Sequence, residues 1–317
     1  MLKYFLKKLL QGVITLFVII TLVFVLMRML PKENYFTESQ QTKLNNVQKQ
    51  EILKASGLLD PVPVQLVRFY KNILQGDFGV SKKISVGTPV TKLISKRMIT
   101  SFKFGIISFF VSIVLGVALG IFQTLHKDRF GDHAGMAYTI FANAVPSIVS
   151  FSLILIIGMS VFKLPSLYSP RVHPVLSSIM PIICLSMSSI AGYALWTRRY
   201  MVDELNKDYI VLAKLKGLSS RQVMIRHVMR NALVPMVQFI PSSILLTIGG
   251  AFLTETFFGI PGMGPLLTNA ISLYDVDVVQ TLVILYASLG ILGVILGDVL
   301  MSIVDPRISL NKEDEVR

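Results

Sequence analysis

The chain has 317 residues, 53% of them hydrophobic and only 15% charged, and its mean hydropathy is +0.65, which excludes an ordinary soluble globular domain. With 31 Lys and Arg against 18 Asp and Glu, the net charge is +13. That balance suits anionic lipid headgroups, and without a basic-aromatic module beside it, it does not point to nucleic acid.

Runs free of Asp, Glu, Lys and Arg predict six membrane spans of about 20 or more residues: Leu9–Met27, Phe104–Leu125, His133–Phe162, Val172–Thr197, Asn231–Thr254 and Val278–Gly297. The first follows Lys3, Lys7 and Lys8, as a secretory signal would, but Arg28-Met-Leu-Pro31 offers no small-residue cleavage site. An uncleaved first span, residues 1–30, is expected. Residues 31–101 form a polar segment too long for a simple connector and so partly folded. Within it, Thr37–Ala55 and Pro63–Leu74 are helix-compatible, and Gly76-Asp-Phe-Gly79 reads as a turn. Cys184 lies inside the fourth run, with no second cysteine to pair with, and packs as a small hydrophobe. A further uncharged run, Thr256–Tyr274, holds Gly259, Pro261, Gly262, Gly264 and Pro265. Those breakers predict a turn and a short helix rather than a seventh span.

Lys and Arg in the short flanks set the orientation. Lys127, Arg129, eight bases between Arg198 and Ala232, and Arg307, Lys312 and Arg317 fall on the side of the N-terminus, whereas the short opposite loops carry only Lys163 and Arg171. Both termini are therefore expected in the cytoplasm.

Between the fourth and fifth spans, Arg198–Pro235 reads as two helices joined by a tight turn. Gly217 suits the left-handed position after a helix, and Ser219 with Gln222 forms a Ser-x-x-Gln capping box for the next one. Met201, Leu205, Tyr209 and Leu212, then Met224, Val228 and Ala232, recur at helical spacing. The eight bases against Asp203, Glu204 and Asp208 are accounted for by topology and lipid attraction. The punctuation is not. A folded elbow at the membrane surface is a sensible docking element for a motor domain.

Catalytic machinery is missing. His126, His133, His173 and His227 all fall at or beyond the ends of apolar runs, and the chain has no Gly-x-Ser-x-Gly, His-Glu-x-x-His or nucleotide-binding Gly-x-x-x-x-Gly-Lys loop. Glu255 and Asp298 sit at span ends, where the plain expectation is an interfacial acid facing water. Pro146, Pro181, Pro241 and Gly249-Gly250 either bend helices around a path or are ordinary tolerance of such residues in spans. Asn143, Ser186, Ser188, Ser189 and Gln238 either line a pore or bond between helices.

Four stretches carry a resemblance. They are Asp208-Tyr-Ile-Val-Leu-Ala213-Lys-Leu-Lys-Gly217-Leu-Ser with Arg226-His-Val-Met-Arg230-Asn231-Ala-Leu-Val-Pro235; Gly57-Leu-Leu-Asp60-Pro61 with Gln75-Gly-Asp-Phe-Gly79-Val-Ser81; Glu255-Thr-Phe-Phe-Gly-Ile-Pro261-Gly262-Met-Gly264; and Asp305-Pro306-Arg307. Nearly end to end, the chain resembles the permease subunits of ABC importers in the oligopeptide/dipeptide/nickel branch, of the oligopeptide-permease B type. It departs at Lys32-Glu33-Asn34, where the branch often has Gly-Asp-Pro, and at Asp275-Val-Asp277, where it often has Asp-Tyr-Pro. The resemblance implies an all-α polytopic membrane protein of the type I ABC importer permease fold. It would have an extracytoplasmic insertion at 31–101, a permease domain at 96–306 containing five helices and the elbow 198–235, and a cytoplasmic tail at 307–317. Asp208, Tyr209, Ala213, Gly217, Leu218, Ser219, Arg226, Asn231 and Pro235 would couple to the ATPase. The chain would bind no cofactor or metal, ATP and magnesium being held by two cytoplasmic ATPase subunits. Its other partners would be a second, homologous permease, an extracytoplasmic binding protein, a peptide and the bilayer. Oligopeptide leads as substrate, ahead of dipeptide, nickel or another small solute. An ion-coupled secondary transporter and a non-transporting scaffold or sensor are the readings from other classes.

Overall fold

The computed structural model describes residues 2–304; Asp305-Pro306-Arg307 and the 307–317 tail lie outside the described residues. Among these, the secondary structure is helical apart from one isolated bridge between Val80 and Pro89. Helices satisfy their own backbone groups, which is what lipid demands.

Helix α1 (Leu2–Arg28) is the first span, with Leu9, Val13, Phe17 and Leu22 exposed along it. The insertion follows as a 3-10 turn (Lys32–Tyr35), α2 (Glu38–Lys43), α3 (Asn46–Ala55) and α4 (Val62–Leu74). The continuous helix expected over Thr37–Ala55 is thus two. Thr37 and Gln40 cap α2 reciprocally, and Asn45 with Gln48 does the same for α3, so a second start signal interrupts the first helix. Gly76 and Gly79 adopt φ of 76° and 75°, as their turn requires.

Helix α5 (Val90–Leu125) has 36 residues, about 54 Å at 1.5 Å per residue. It starts just after Pro89, well before the apolar run at Phe104, so its first turns carry Lys92, Lys96, Arg97 and Lys103 ahead of that run. The third apolar run is not one straight helix. It is α6 (Phe130–Ala144) and α7 (Ser147–Ser160), bent by 114° at Val145–Pro146, where proline disfavours helical geometry in the residue before it. Five helices are long and apolar enough to cross a membrane, and the bent pair makes the sixth if it is one span.

Helix α8 (Leu176–Leu205) keeps Pro181 inside its first turns and continues two turns past Thr197. The elbow then comprises α9 (Asp208–Leu215), α10 (Ser220–Val223), a π-helical stretch (Met224–Met229) and α11 (Arg230–Ala232). The fifth span is segmented into α12 (Val234–Val237), α13 (Phe239–Ile248) and α14 (Phe252–Phe257). Pro235 and Pro241 each lack a backbone donor, and Gly250 takes φ of 78° between α13 and α14. Between Thr256 and Tyr274 lies the short helix α15 (Met263–Ser272), and α16 (Val276–Val304) is the last span.

The largest interface is α5 against α8. On α5, buried Ser108, Ser112, Gly116, Gly120 and Thr124 form one stripe. A Cβ at Gly116 would stand 2.8 Å from the Ile190 carbonyl oxygen, and one at Gly120 2.6 Å from that of Ala194. Small residues thus let the two backbones touch, which in lipid provides dispersion contact where no hydrophobic force operates between helices. Cys184, on α8, packs against Phe104, Phe151, Met180, Phe258 and Ile260.

Candidate functional site

The elbow is a small core of its own. Met201, Ile210, Ala213, Val223, Val228 and Ala232 are buried together. Its turn is a Schellman motif: Leu218 N–H donates to the Ala213 carbonyl at 3.3 Å and Gly217 N–H to that of Lys214 at 3.0 Å. Gly217 has φ of 83°. Ser219 Oγ accepts from Gln222 N–H at 3.3 Å, and Gln222 Oε1 accepts from Ser219 N–H at 2.9 Å.

One expectation fails in this region. Met201, Leu205, Tyr209 and Leu212 are not one buried stripe, because α8 ends at Leu205 and Lys207 is extended at the start of α9. The register resets across that break, so Ile210 and Ala213 face inward while Tyr209 and Leu212 are exposed. Met224, Val228 and Ala232 do line the inner face.

Of the residues singled out in the elbow, Asp208 opens α9, where its charge meets the positive end of the helix. Arg226 is exposed within the π stretch, and Pro235 lies in α12. Tyr209 and Asn231 meet through a residue that the spacing did not flag. Tyr209 Oη donates to Glu204, and Asn231 Nδ2 donates to both Glu204 Oε1 at 3.1 Å and Tyr209 Oη at 2.8 Å. Burial first, then the Glu204 hydrogen bond, pushes the Tyr209 phenol above its ordinary value, so it stays protonated. This triad pins the end of α8, the start of α9 and α11 together. On the other side of α9, Val211, Leu212 and Leu215 are 57%, 52% and 79% exposed. An apolar row on an otherwise basic surface marks a contact face.

The elbow is wired to the spans. Arg198, near the end of α8, grips Asp132 of α6 through Nε–Oδ1 and Nη2–Oδ2 contacts of 2.6 Å each. Asp132 is fully buried, and a two-pronged guanidinium–carboxylate pair fixes orientation as well as distance. Arg198 therefore does more than set topology.

The expectation of water-facing acids at the span ends is also overturned. Asp298 is buried, pairs with Lys8 of α1 and accepts from Gln238 Nε2 at 2.8 Å. Glu255 is only 1% exposed. It accepts from Ser101 Oγ at 2.6 Å and from Gly264 N–H at 2.9 Å. The glycines that looked like simple breakers make room for it, since a Cβ at Gly262 would lie 2.3 Å from Glu255 Oε2.

Glu255 closes one end of a cavity of about 310 Å3 between α5, α8, α13 and α14. Its wall carries the hydroxyls of Ser108, Ser112, Ser189, Tyr193, Ser243 and Thr247. A second cavity of about 230 Å3 shares Ser189, Tyr193 and Ser243 and extends past Trp196, Met236 and Phe239 toward the elbow. The two lie side by side along α8 and α13, a groove with hydroxyls set into mostly apolar walls. Composition alone did not separate pore lining from interhelical bonding. Ser189 lines the groove, Ser186 bonds to the Ile182 carbonyl beside α5, and Asn143 bonds within α6.

In the Asp275-Val-Asp277 stretch, which departs from its branch after Asp275, both acids are used within the protein. Asp275 is fully buried and accepts from Ser81 Oγ at 2.6 Å and from the N–H groups of Lys82, Lys83 and Ile84 at 3.0–3.1 Å. Asp277 pairs with Lys82 Nζ at 3.1 Å.

Known proteins carry the same pattern over the whole chain. Residues 90–310 match the family of binding-protein-dependent transport system inner membrane components, and residues 1–88 match the N-terminal part of such components. The dipeptide transport system permease protein of Bacillus subtilis is 30% identical, covering 99% of this chain and 100% of its own. The corresponding dipeptide permease protein of Lactococcus lactis is 32% identical over 98% and 100%. The oligopeptide transport system permease protein of Haemophilus influenzae is 31% identical over 97% and 99%. A helical membrane chain matched along this length in both its insertion and its bundle belongs to the family of binding-protein-dependent transport system inner membrane components.

Proposed function

We propose that this chain is the membrane-spanning permease subunit of an ATP-driven importer of peptides, oligopeptide or dipeptide. The observation that carries the reading is the elbow: a self-packed helical unit with an exposed apolar face on α9, clamped to the bundle through Arg198 and Asp132, in a chain with no nucleotide loop. A self-supporting core with an unpaired apolar row suits docking to a separate motor.

In this reading both termini and the elbow are cytoplasmic, and the insertion faces the extracytoplasmic binding protein. The chain is not itself an enzyme. Two ATPase subunits hold ATP and magnesium, and a homologous permease completes the path. Asp208, Tyr209, Ala213, Gly217, Leu218, Ser219, Arg226, Asn231 and Pro235 form or support the coupling surface, with Glu204 added to them. The groove from Glu255 to Trp196 is this subunit's share of the translocation path. Movement of the elbow shifts α8, which walls that groove, between inward- and outward-open arrangements.

The test is uptake by the assembled transporter in proteoliposomes. Peptide should accumulate only when the ATPase subunits can hydrolyse ATP and should be indifferent to ion gradients. Uptake that persists with hydrolysis-dead ATPase and collapses with an ion gradient assigns the chain to secondary transport instead.

A further inference from the structure

We propose that Glu255 receives the N-terminal ammonium group of the peptide during its passage, at the insertion-side end of the hydroxyl-lined cavity. The inference rests on the permease reading of that groove and adds to it the chemical group recognised and the residue that recognises it.

Four observations converge. First, Glu255 sits in an apolar helical segment and is 1% exposed. A carboxylate so buried is costly unless a cation balances it. Second, among the described residues the ion pairs join Lys8 to Asp298, Arg68 to Asp60, Lys82 to Asp277 and Arg198 to Asp132, and none reaches Glu255. Third, among the described residues Glu255 accepts only from Ser101 Oγ and Gly264 N–H, whereas a carboxylate offers about four acceptor positions. Fourth, Ser108 lines the same cavity, is 5% exposed, and its Oγ has no hydrogen-bond partner among the described residues. An unfilled hydroxyl and an uncompensated carboxylate therefore share one chamber.

The ligand that balances the carboxylate is a primary ammonium group, whose donors form charge-assisted hydrogen bonds to it. Ser108 lies seven residues along α5 from Ser101, about 10 Å at 1.5 Å per residue, so its hydroxyl is left for the peptide backbone behind the ammonium. A divalent metal fits poorly, because calcium takes about six to eight oxygen ligands, several of them charged, and one carboxylate stands here. The cavity, at about 310 Å3, has room for peptide backbone behind the ammonium. Ser101 and Gly264 hold Glu255 in place by binding one oxygen each, so the carboxylate is already oriented when the cation arrives.

The experiment compares uptake of trialanine and N-acetyl-trialanine by the complete transporter in proteoliposomes, with wild-type chain and with Glu255→Gln. The binding protein is the same in both, so its own preference cancels between them. The trialanine to N-acetyl-trialanine ratio should fall by about tenfold or more, the scale of one lost charge-assisted contact. An unchanged ratio overturns the proposal, whether or not total uptake declines, because a purely structural role for Glu255 would affect both peptides alike. If the variant fails to assemble, or the acetylated peptide enters too slowly to measure, wild-type complex without binding protein is labelled with dicyclohexylcarbodiimide. Trialanine should slow modification of Glu255 several-fold and N-acetyl-trialanine should not; equal protection by both, or by neither, overturns it. Uptake that no longer needs ATP hydrolysis would instead remove the importer reading, and is scored separately.

Discussion

Gly217 shows how one backbone angle holds the elbow. At φ of 83° the Schellman turn returns Leu218 onto Ala213 while Ser219 starts the next helix. An L side chain in this conformation costs about 1–2 kcal/mol, although nothing lies within 4 Å of where a Cβ would stand. Alanine is therefore strained but fits. Proline is worse, because its φ is locked near −65° and it cannot donate to the Lys214 carbonyl. Gly217→Pro should leave membrane insertion intact but reduce co-purification of ATPase subunits and abolish ATP-dependent uptake. Normal co-purification and uptake would count against the coupling role. The turn was legible because a glycine followed two residues later by Ser-x-x-Gln is local chemistry. The Glu204–Tyr209–Asn231 triad was not, because its members lie up to 27 positions apart and only the folded elbow brings them together.

Among the elements, α5 and α8 form the spine of the domain. Their contact depends on a stripe of Ser108, Ser112, Gly116, Gly120 and Thr124, four residues apart each time. That repeat was available as a sequence signal for close helix packing, but counting charge-free runs locates spans without saying which faces meet. The same method merged α6 with α7, since Pro146 adds no charge to interrupt an apolar run, yet the chain turns by 114° there. It also placed Glu255 in water, because counting charges does not read how Gly250 and Gly262 fold around the carboxylate. Gly120 provides the test at this scale. A side chain there meets the Ala194 carbonyl and Thr197 Cβ, each at 2.6 Å, and overpacking of this kind costs about 1–3 kcal/mol. Gly120→Leu should lower the midpoint of thermal unfolding in detergent, whereas Gly192→Leu, on α8 with nothing within 4 Å of its Cβ position, should leave it nearly unchanged. Equal effects would remove the close-packing account of this interface.

Across the whole molecule, two long helices connect the elbow side to the insertion side. Helix α8, with 30 residues and about 45 Å long, runs from the far loop through the groove wall at Ser189 and Tyr193 to Arg198 and Glu204 in the elbow. Helix α16 runs from the insertion clamp at Asp275 to the Lys8–Asp298 pair. A displacement of the elbow therefore reaches the groove through continuous helix rather than through loops, while the insertion stays fixed to α16. The strength of that fixing separates Asp275 from its neighbour. Asp275 is fully buried with four donors on its carboxylate, and hydrogen bonds to a charged group contribute about 1.5–3 kcal/mol each. The Asp277–Lys82 pair is partly exposed on both sides, which limits it to about 0–1 kcal/mol. Asp275→Ala should thus free the 81–84 loop and speed its cleavage by protease added from the insertion side by about tenfold or more, while Asp277→Ala changes the rate little. If both variants are cut at the wild-type rate, the insertion is held by its other contacts and Asp275 is not its clamp.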